Sequence, residues 1–255
     1  MSTLAIARLS IVETLRRKEF YVVLVLIIGL AVWIQTMNIG ASGAGRFAKD
    51  IVMQVTWLAS FALSVPLAAR QITSDLEQKT VYVLASRPIH RWQYVLGRAI
   101  GVSVASVFCF TGLFLVLVLM MLSKGAAGIG DASLWQGYAL QVVALVMLCS
   151  ITVFLSTVAT SAGAVTFSLI ALLSMRYGAP AILNKIEAMS GLPREIAWIA
   201  YLGLPHFEFF NITQRVVHDW GALPAGLFLE IMGYGAAYSL VAIALGAVAF
   251  RRRWL

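Results

Sequence analysis

From Ala132 to Met175 the chain carries no Asp, Glu, Lys, Arg or His. An α-helix rises 1.5 Å per residue, so about 20 apolar residues cross the roughly 30 Å hydrocarbon core of a bilayer. The charge-free stretch is about twice that length and must fold back on itself. The small, glycine-bearing "ATSAGA", around Ser161 to Gly163, is the natural place for the turn. Two spans follow, near Leu134–Thr157 and Ser161–Met175. Four further apolar runs are long enough to cross: Phe20–Ile39, Ile51–Ala69, Ala99–Leu122 and Leu227–Phe250. None shows the alternation of a membrane barrel strand. The expected fold is an all-α integral membrane protein with six transmembrane helices. Composition agrees: 12% of the 255 residues are charged and mean hydropathy is +0.89, whereas soluble domains are about 25% charged.

Basic residues orient the bundle. With the N-terminus in the cytoplasm, the inside segments hold Arg8, Arg16, Arg17, Lys18, Arg70, Lys79, Arg87, Arg91, Arg98 and Arg251 to Arg253. Against these stand Glu13, Glu19, Asp75 and Glu77, and the outer charges cancel. The whole net charge of +8 therefore lies inside, as the positive-inside rule requires, and both termini are cytoplasmic. Such an excess reports topology, not nucleic-acid binding. The N-terminal run is longer than a signal-peptide core and is expected to stay as an anchor. Cys109 and Cys149 sit in apolar runs without a second-ligand spacing and read as packing residues.

Two cytoplasmic pieces are organised. Residues 1–19 have helical periodicity, with Leu4, Ala7, Ile11 and Leu15 on one face and Ser10, Glu13, Thr14 and Arg17 on another. This predicts an amphipathic helix along the inner leaflet. Residues 71–98, between spans two and three, gather charge. Ser74 and Glu77 have the spacing of a capping box, and Asp75 suits the first turn of a helix running to about Ala85, before Pro88. Arg87, Arg91 and Arg98 can meet phosphates or acidic side chains.

"ITSDLEQKTVYVLASRPIHRWQYVLGRAIG" resembles the segment between spans two and three of type-2 ABC exporter permeases: an acidic pair (Asp75, Glu77), Thr80, the run Leu84 to Arg91 with Pro88, and Tyr94 to Arg98 leading into span three. "LPHFEFFN", Leu204 to Asn211, is similar to an element between spans five and six in the NosY-like branch. Lys79 departs from the glycine that many members carry there. The resemblance covers nearly the whole chain, as a single transmembrane domain, 1–255. It is divided into the interface helix (1–19), spans one and two (20–70), a cytoplasmic coupling segment (71–98), spans three to five (99–176), an outer segment (177–226), and span six with a basic tail (227–255).

The resemblance implies a coupling helix docked on a separate cytoplasmic ABC ATPase subunit through Asp75, Glu77, Thr80, Arg87, Pro88 and Arg91. It implies a homodimer or a pair with a paralogous permease, in a bacterial cytoplasmic (inner) membrane. Spans two and five would line the pathway through Gln54, Trp57, Phe61, Ser64, Ser161, Val165, Ser168 and Leu172. Pro205, Phe207, Glu208 and Asn211 would form an outer gate. ATP and Mg would sit on the partner, since the chain has no G-x-x-x-x-G-K-[ST] loop. No cofactor or metal is expected here; His206, Glu208 and His218 read as solvated outer-loop residues. No nucleophile-base motif suggests an enzyme. The spans lack ionisable groups near their centres, with Arg176 and Glu230 toward outer ends, which speaks against ion coupling. "GRAIG", Gly97 to Gly101, and Gly233 with Ala237 read as helix-packing positions. The runner-up function is a non-transporting scaffold or force-transmitting subunit that docks an ATPase. The substrate stays open.

Overall fold

A computed structural model describes residues 3–16, 21, 25, 28–29, 44–77, 91–123, 131–218 and 220–252. The described residues form helices: α1 (Thr3–Leu15), α2 (Ala44–Glu77), α3 (Arg91–Ser123), α4 (Ala132–Val158), α5 (Ser161–Glu187), α6 (Leu192–Leu202), a 3₁₀ turn (Phe207–Phe210), α7 (Thr213–Val217) and α8 (Ala225–Arg252). Among them, Trp92–Val116, Ala132–Val158, Ser161–Ala179 and Ala225–Phe250 are long and apolar enough to span a membrane. α2 is helical right across the expected run Ile51–Ala69. The expected first span, Phe20–Ile39, lies almost wholly outside the described residues.

α4 is the axis of the bundle, with two thirds of its apolar window buried. It packs against α2, α3, α5 and α8. Leu134, Leu140, Leu145, Met147 and Leu148 are almost wholly buried around it. Two of its polar side chains bond across the bundle: Gln141 Nε2 donates to Ser60 Oγ at 3.2 Å, and Thr152 Oγ1 donates to Ser168 Oγ at 2.9 Å. Interior pairs of this kind hold helices together where burial of apolar surface gives no drive between them. At the end of α4 the chain reverses at Ala159–Thr160, just before Ser161. The Thr160 side chain caps α5 by accepting from Gly163 N–H at 3.3 Å.

Small residues set the closest helix approach. A Cβ on Gly97 would lie 2.9 Å from Ile6 Cβ, and one on Gly101 would lie 2.5 Å from Ser10 Cβ. The two glycines of "GRAIG" thus let α1 lie directly on the inner end of α3. In α8 the packing position is Gly235, where a Cβ would meet Val143 Cγ1 at 2.4 Å. Gly233 has nothing within 4 Å and Ala237 is exposed, so the expected pair is displaced by two residues.

Several predicted boundaries move. Ser74 lies inside the continuous α2, so it caps no separate helix. The helix runs on because Gln71 and Asp75, one turn apart, are both fastened from the same side by Arg98. α3 begins at Arg91, which places Tyr94 and Arg98 in its first turns. α5 runs through Pro180 to Glu187, past the expected end of the span at Met175, which takes Arg176 inside the helix. α6 carries Pro193 in its first turn, where a missing N–H costs nothing. On α1 the buried face is Ile6, Ala7, Ser10 and Thr14, while Leu4 is 79% exposed. The predicted faces are therefore rotated: hydrogen bonds draw Ser10 and Thr14 inward, and Leu4, Leu9 and Val12 are left outward.

Candidate functional site

Among the described residues three polar centres stand out in the bundle. The first, the inner knot of the expected topology, ties one end together. Arg98 is 3% exposed. Its Nη1 donates to Glu13 Oε2 at 2.8 Å on α1 and to Gln71 Oε1 at 3.1 Å on α2; its Nη2 pairs with Asp75 Oδ2. The Tyr94 hydroxyl donates to the same Asp75 oxygen. Gln71 extends the knot, accepting from Ser10 Oγ at 2.8 Å and donating to Thr14 Oγ1 at 3.1 Å. Tyr94 also stacks on Phe250 of α8, with ring centroids 5.4 Å apart. Three helices thus meet around one guanidinium, and α8 joins them through Tyr94. Arginine suits this junction because its planar fork serves several acceptors at once.

The second centre lies between α2 and α5. Arg176 is 8% exposed. Its guanidinium carbon stands 4.1 Å from the centroid of the Trp57 ring and 5.6 Å from that of Tyr177. Nη2 reaches Gln54 Oε1 at 3.4 Å, and Nε reaches the Tyr177 hydroxyl at 3.4 Å. Nη1 is buried without a hydrogen-bond partner.

The third centre is the outer cluster. His206 Nδ1 stands 2.9 Å from Glu208 Oε1, and the Tyr201 hydroxyl donates to that oxygen at 3.2 Å. Burial, and then the neighbouring Glu208 carboxylate, push the Tyr201 hydroxyl up to about 12, so it remains a donor. The His206 N–H donates to the Tyr234 hydroxyl at 3.1 Å, and Tyr238 donates to Gly203 O at 2.7 Å, which fastens the segment to α8. His206 is buried, against the expectation of a solvated loop residue, because Tyr201 and Phe209 enclose its ring. His218 is exposed. Among the described residues no three His, Cys, Asp or Glu side chains are placed to hold a metal.

The docking residues named from sequence divide. Asp75 is buried in the inner knot, and Glu77 ends α2. Thr80, Arg87 and Pro88 lie outside the described residues, and Arg91 opens α3. Of the pathway candidates, Gln54, Ser161 and Val165 are half-buried; Trp57, Phe61, Ser64, Ser168 and Leu172 are buried within this one chain. Phe61 meets Trp57 edge-on at 6.2 Å and the outer-segment Phe207 at 6.5 Å, so candidates for the pathway and the outer gate share one core. Pro205 is buried beside Phe207. Glu208 and Asn211 are half-buried, and Asn211 Oδ1 accepts from Thr213 N–H at 3.4 Å. Sequence reasoning placed Arg176 at the outer end of span five, as a residue away from the centre. The apolar run on both sides of it, together with Gln54 and Trp57 at helical spacing, was the signal that could have drawn it inward.

These features define a multi-pass helical membrane protein with a polar knot at one end and an aromatic cap at the other. Residues 4–255 match the family described as ABC-2 family transporter protein, and the chain belongs to it. Nothing among curated proteins matches the chain.

Proposed function

We propose that the chain is the permease subunit of an ATP-driven exporter, working as a dimer with separate ATPase subunits and belonging to the NosY-like branch. The observation that carries this is the inner knot. α2 runs unbroken to Glu77, and close to that end Asp75 is locked through Arg98 to α1 and α3. A push on the segment that follows Glu77 therefore moves three helices together. Such a rigid junction suits an element that receives work from a cytoplasmic partner. ATP binding there would favour one of two arrangements of the permease pair, and the substrate would be moved by the difference in contacts between them. The first span, the docking contacts and the inner-membrane location with cytoplasmic termini all belong to this reading.

Purification of the detergent-solubilised chain with an ATPase assay of the eluate tests it. The wild type should carry an ATPase that Glu77→Arg loses. A well-folded wild type that retains none would overturn the docking reading. The burial of Trp57, Phe61, Ser168 and Leu172 inside one chain favours a second reading, in which the subunit transmits force without conducting substrate. In vesicles that hold the chain and its ATPase, flux that is insensitive to Phe61→Ala and Ser168→Val would support transmission.

A further inference from the structure

Arg176 is a buried cation with no carboxylate partner among the described residues. Its two hydrogen bonds are long, at 3.4 Å each, and go to neutral oxygens of Gln54 and Tyr177. Trp57 and Tyr177 offer ring faces to the guanidinium. Ring faces attract a cation but do not neutralise it. Nη1 is enclosed and donates to no partner. A charge so placed is costly in an apolar medium unless something completes it. The acid nearest Gln54 along α2, Asp50, one turn away, is not paired with the guanidinium and has its own Oδ1 buried without a partner. Tyr177, whose ring centroid is 5.6 Å from the guanidinium carbon, is 60% exposed, so the place borders the surface. Phe167, Ile170 and Leu173 on the same helix expose apolar surface.

We propose that Arg176, with Gln54, Trp57 and Tyr177, binds the anionic head of an amphiphile, a phosphate monoester or carboxylate whose tail lies along α5. An oxyanion would accept from Nη1 and complete the guanidinium, and arginine matches such a group with two parallel bonds. The head is either that of a membrane lipid or that of a soluble amphiphile. That the bound molecule is the exported substrate rests on the permease reading; the binding itself does not.

The experiment is calorimetric titration of the chain in phosphatidylcholine nanodiscs with hexyl phosphate, and with hexylammonium as the opposite charge. Saturable binding of hexyl phosphate alone is expected. Arg176→Gln should weaken it at least about tenfold, the scale of one charge-assisted hydrogen bond, and Arg176→Lys less. If phosphatidylglycerol in the nanodisc competes, the head is a lipid's; if it does not, the head belongs to a soluble amphiphile. Absence of saturable binding, equal binding of hexylammonium, or wild-type affinity in Arg176→Gln overturns the proposal. If Arg176→Gln does not fold, wild-type affinity in Arg176→Lys overturns it instead, since an ammonium keeps the charge and loses the two parallel bonds. No ATPase is present in the titration, so a missing partner in the purification experiment leaves this result standing.

Discussion

At the residue scale the most consequential side chain is Arg98. Its sequence context marks a cation able to meet phosphate or acidic groups. The acids it meets are the chain's own, Glu13 and Asp75, which lie 85 and 23 residues away. No local spacing could show that, because the meeting depends on α1 lying back across α3. The energetics follow from burial. Arg98→Ala leaves Asp75 buried, with Tyr94 as its remaining partner in the knot, and breaking such a pair costs about 3–5 kcal/mol. Thermal unfolding in detergent should show a large fall in midpoint. Arg98→Lys should recover part of it, since an ammonium keeps the charge and loses the fork. Asp75→Asn added to the Arg98→Ala variant should also recover stability, by removing the carboxylate charge that Arg98 balanced. Additive losses in the double variant would show that the two side chains act independently.

At the element scale, helix identity was legible and helix ends were not. Apolar runs announced α3, α4, α5 and α8, because a bilayer demands unbroken apolar length. The ends depend on tertiary ties. Ser74 with Glu77 has the spacing of a cap, yet the chain before it is already helical and is held so by the grip on Gln71 and Asp75. Pro180 has the mark of a break, yet α5 carries it. The glycines of "GRAIG" were read correctly as packing positions, because a small residue at four-residue spacing permits close approach. They yield a prediction with its own control. Gly101→Val must push against Ser10 Cβ and the Ala7 carbonyl, 2.5 Å and 2.8 Å from the first added carbon. Overpacking of that kind costs about 1–3 kcal/mol. Amide exchange in α1 should accelerate about tenfold or more, while α4 stays protected. Gly233→Ala, with nothing within 4 Å, should leave exchange unchanged or slow it slightly. Equal effects of the two substitutions would refute a specific α1–α3 seam.

At the scale of the whole molecule, the charge-free stretches outlined a multi-pass helical bundle. The aromatic cap was less legible. Phe207 and Phe210 bury their rings in the core although they stand in a short, proline-broken connection, and contacts from α2, α4, α5 and α8 bring them there. The structure puts α1, the start of α3 and the end of α8 together at one end, through Arg98 and the Tyr94–Phe250 stack. The 3₁₀ turn and α6 lie with the outer ends of α5 and α8 at the other. Opposite ends of a membrane bundle should therefore differ in access. Both native cysteines are buried, so single exposed cysteines can be read without removing them. Ser190→Cys, exposed before α6, should react with a membrane-impermeant maleimide in right-side-out vesicles, while Arg8→Cys, exposed on α1, should react only in inside-out ones. Reaction of both positions from one side would contradict the separation of the two ends. The reversed pattern would keep the bundle and invert it, which would place the Arg98 knot away from any cytoplasmic ATPase and remove the basis for coupling through α2.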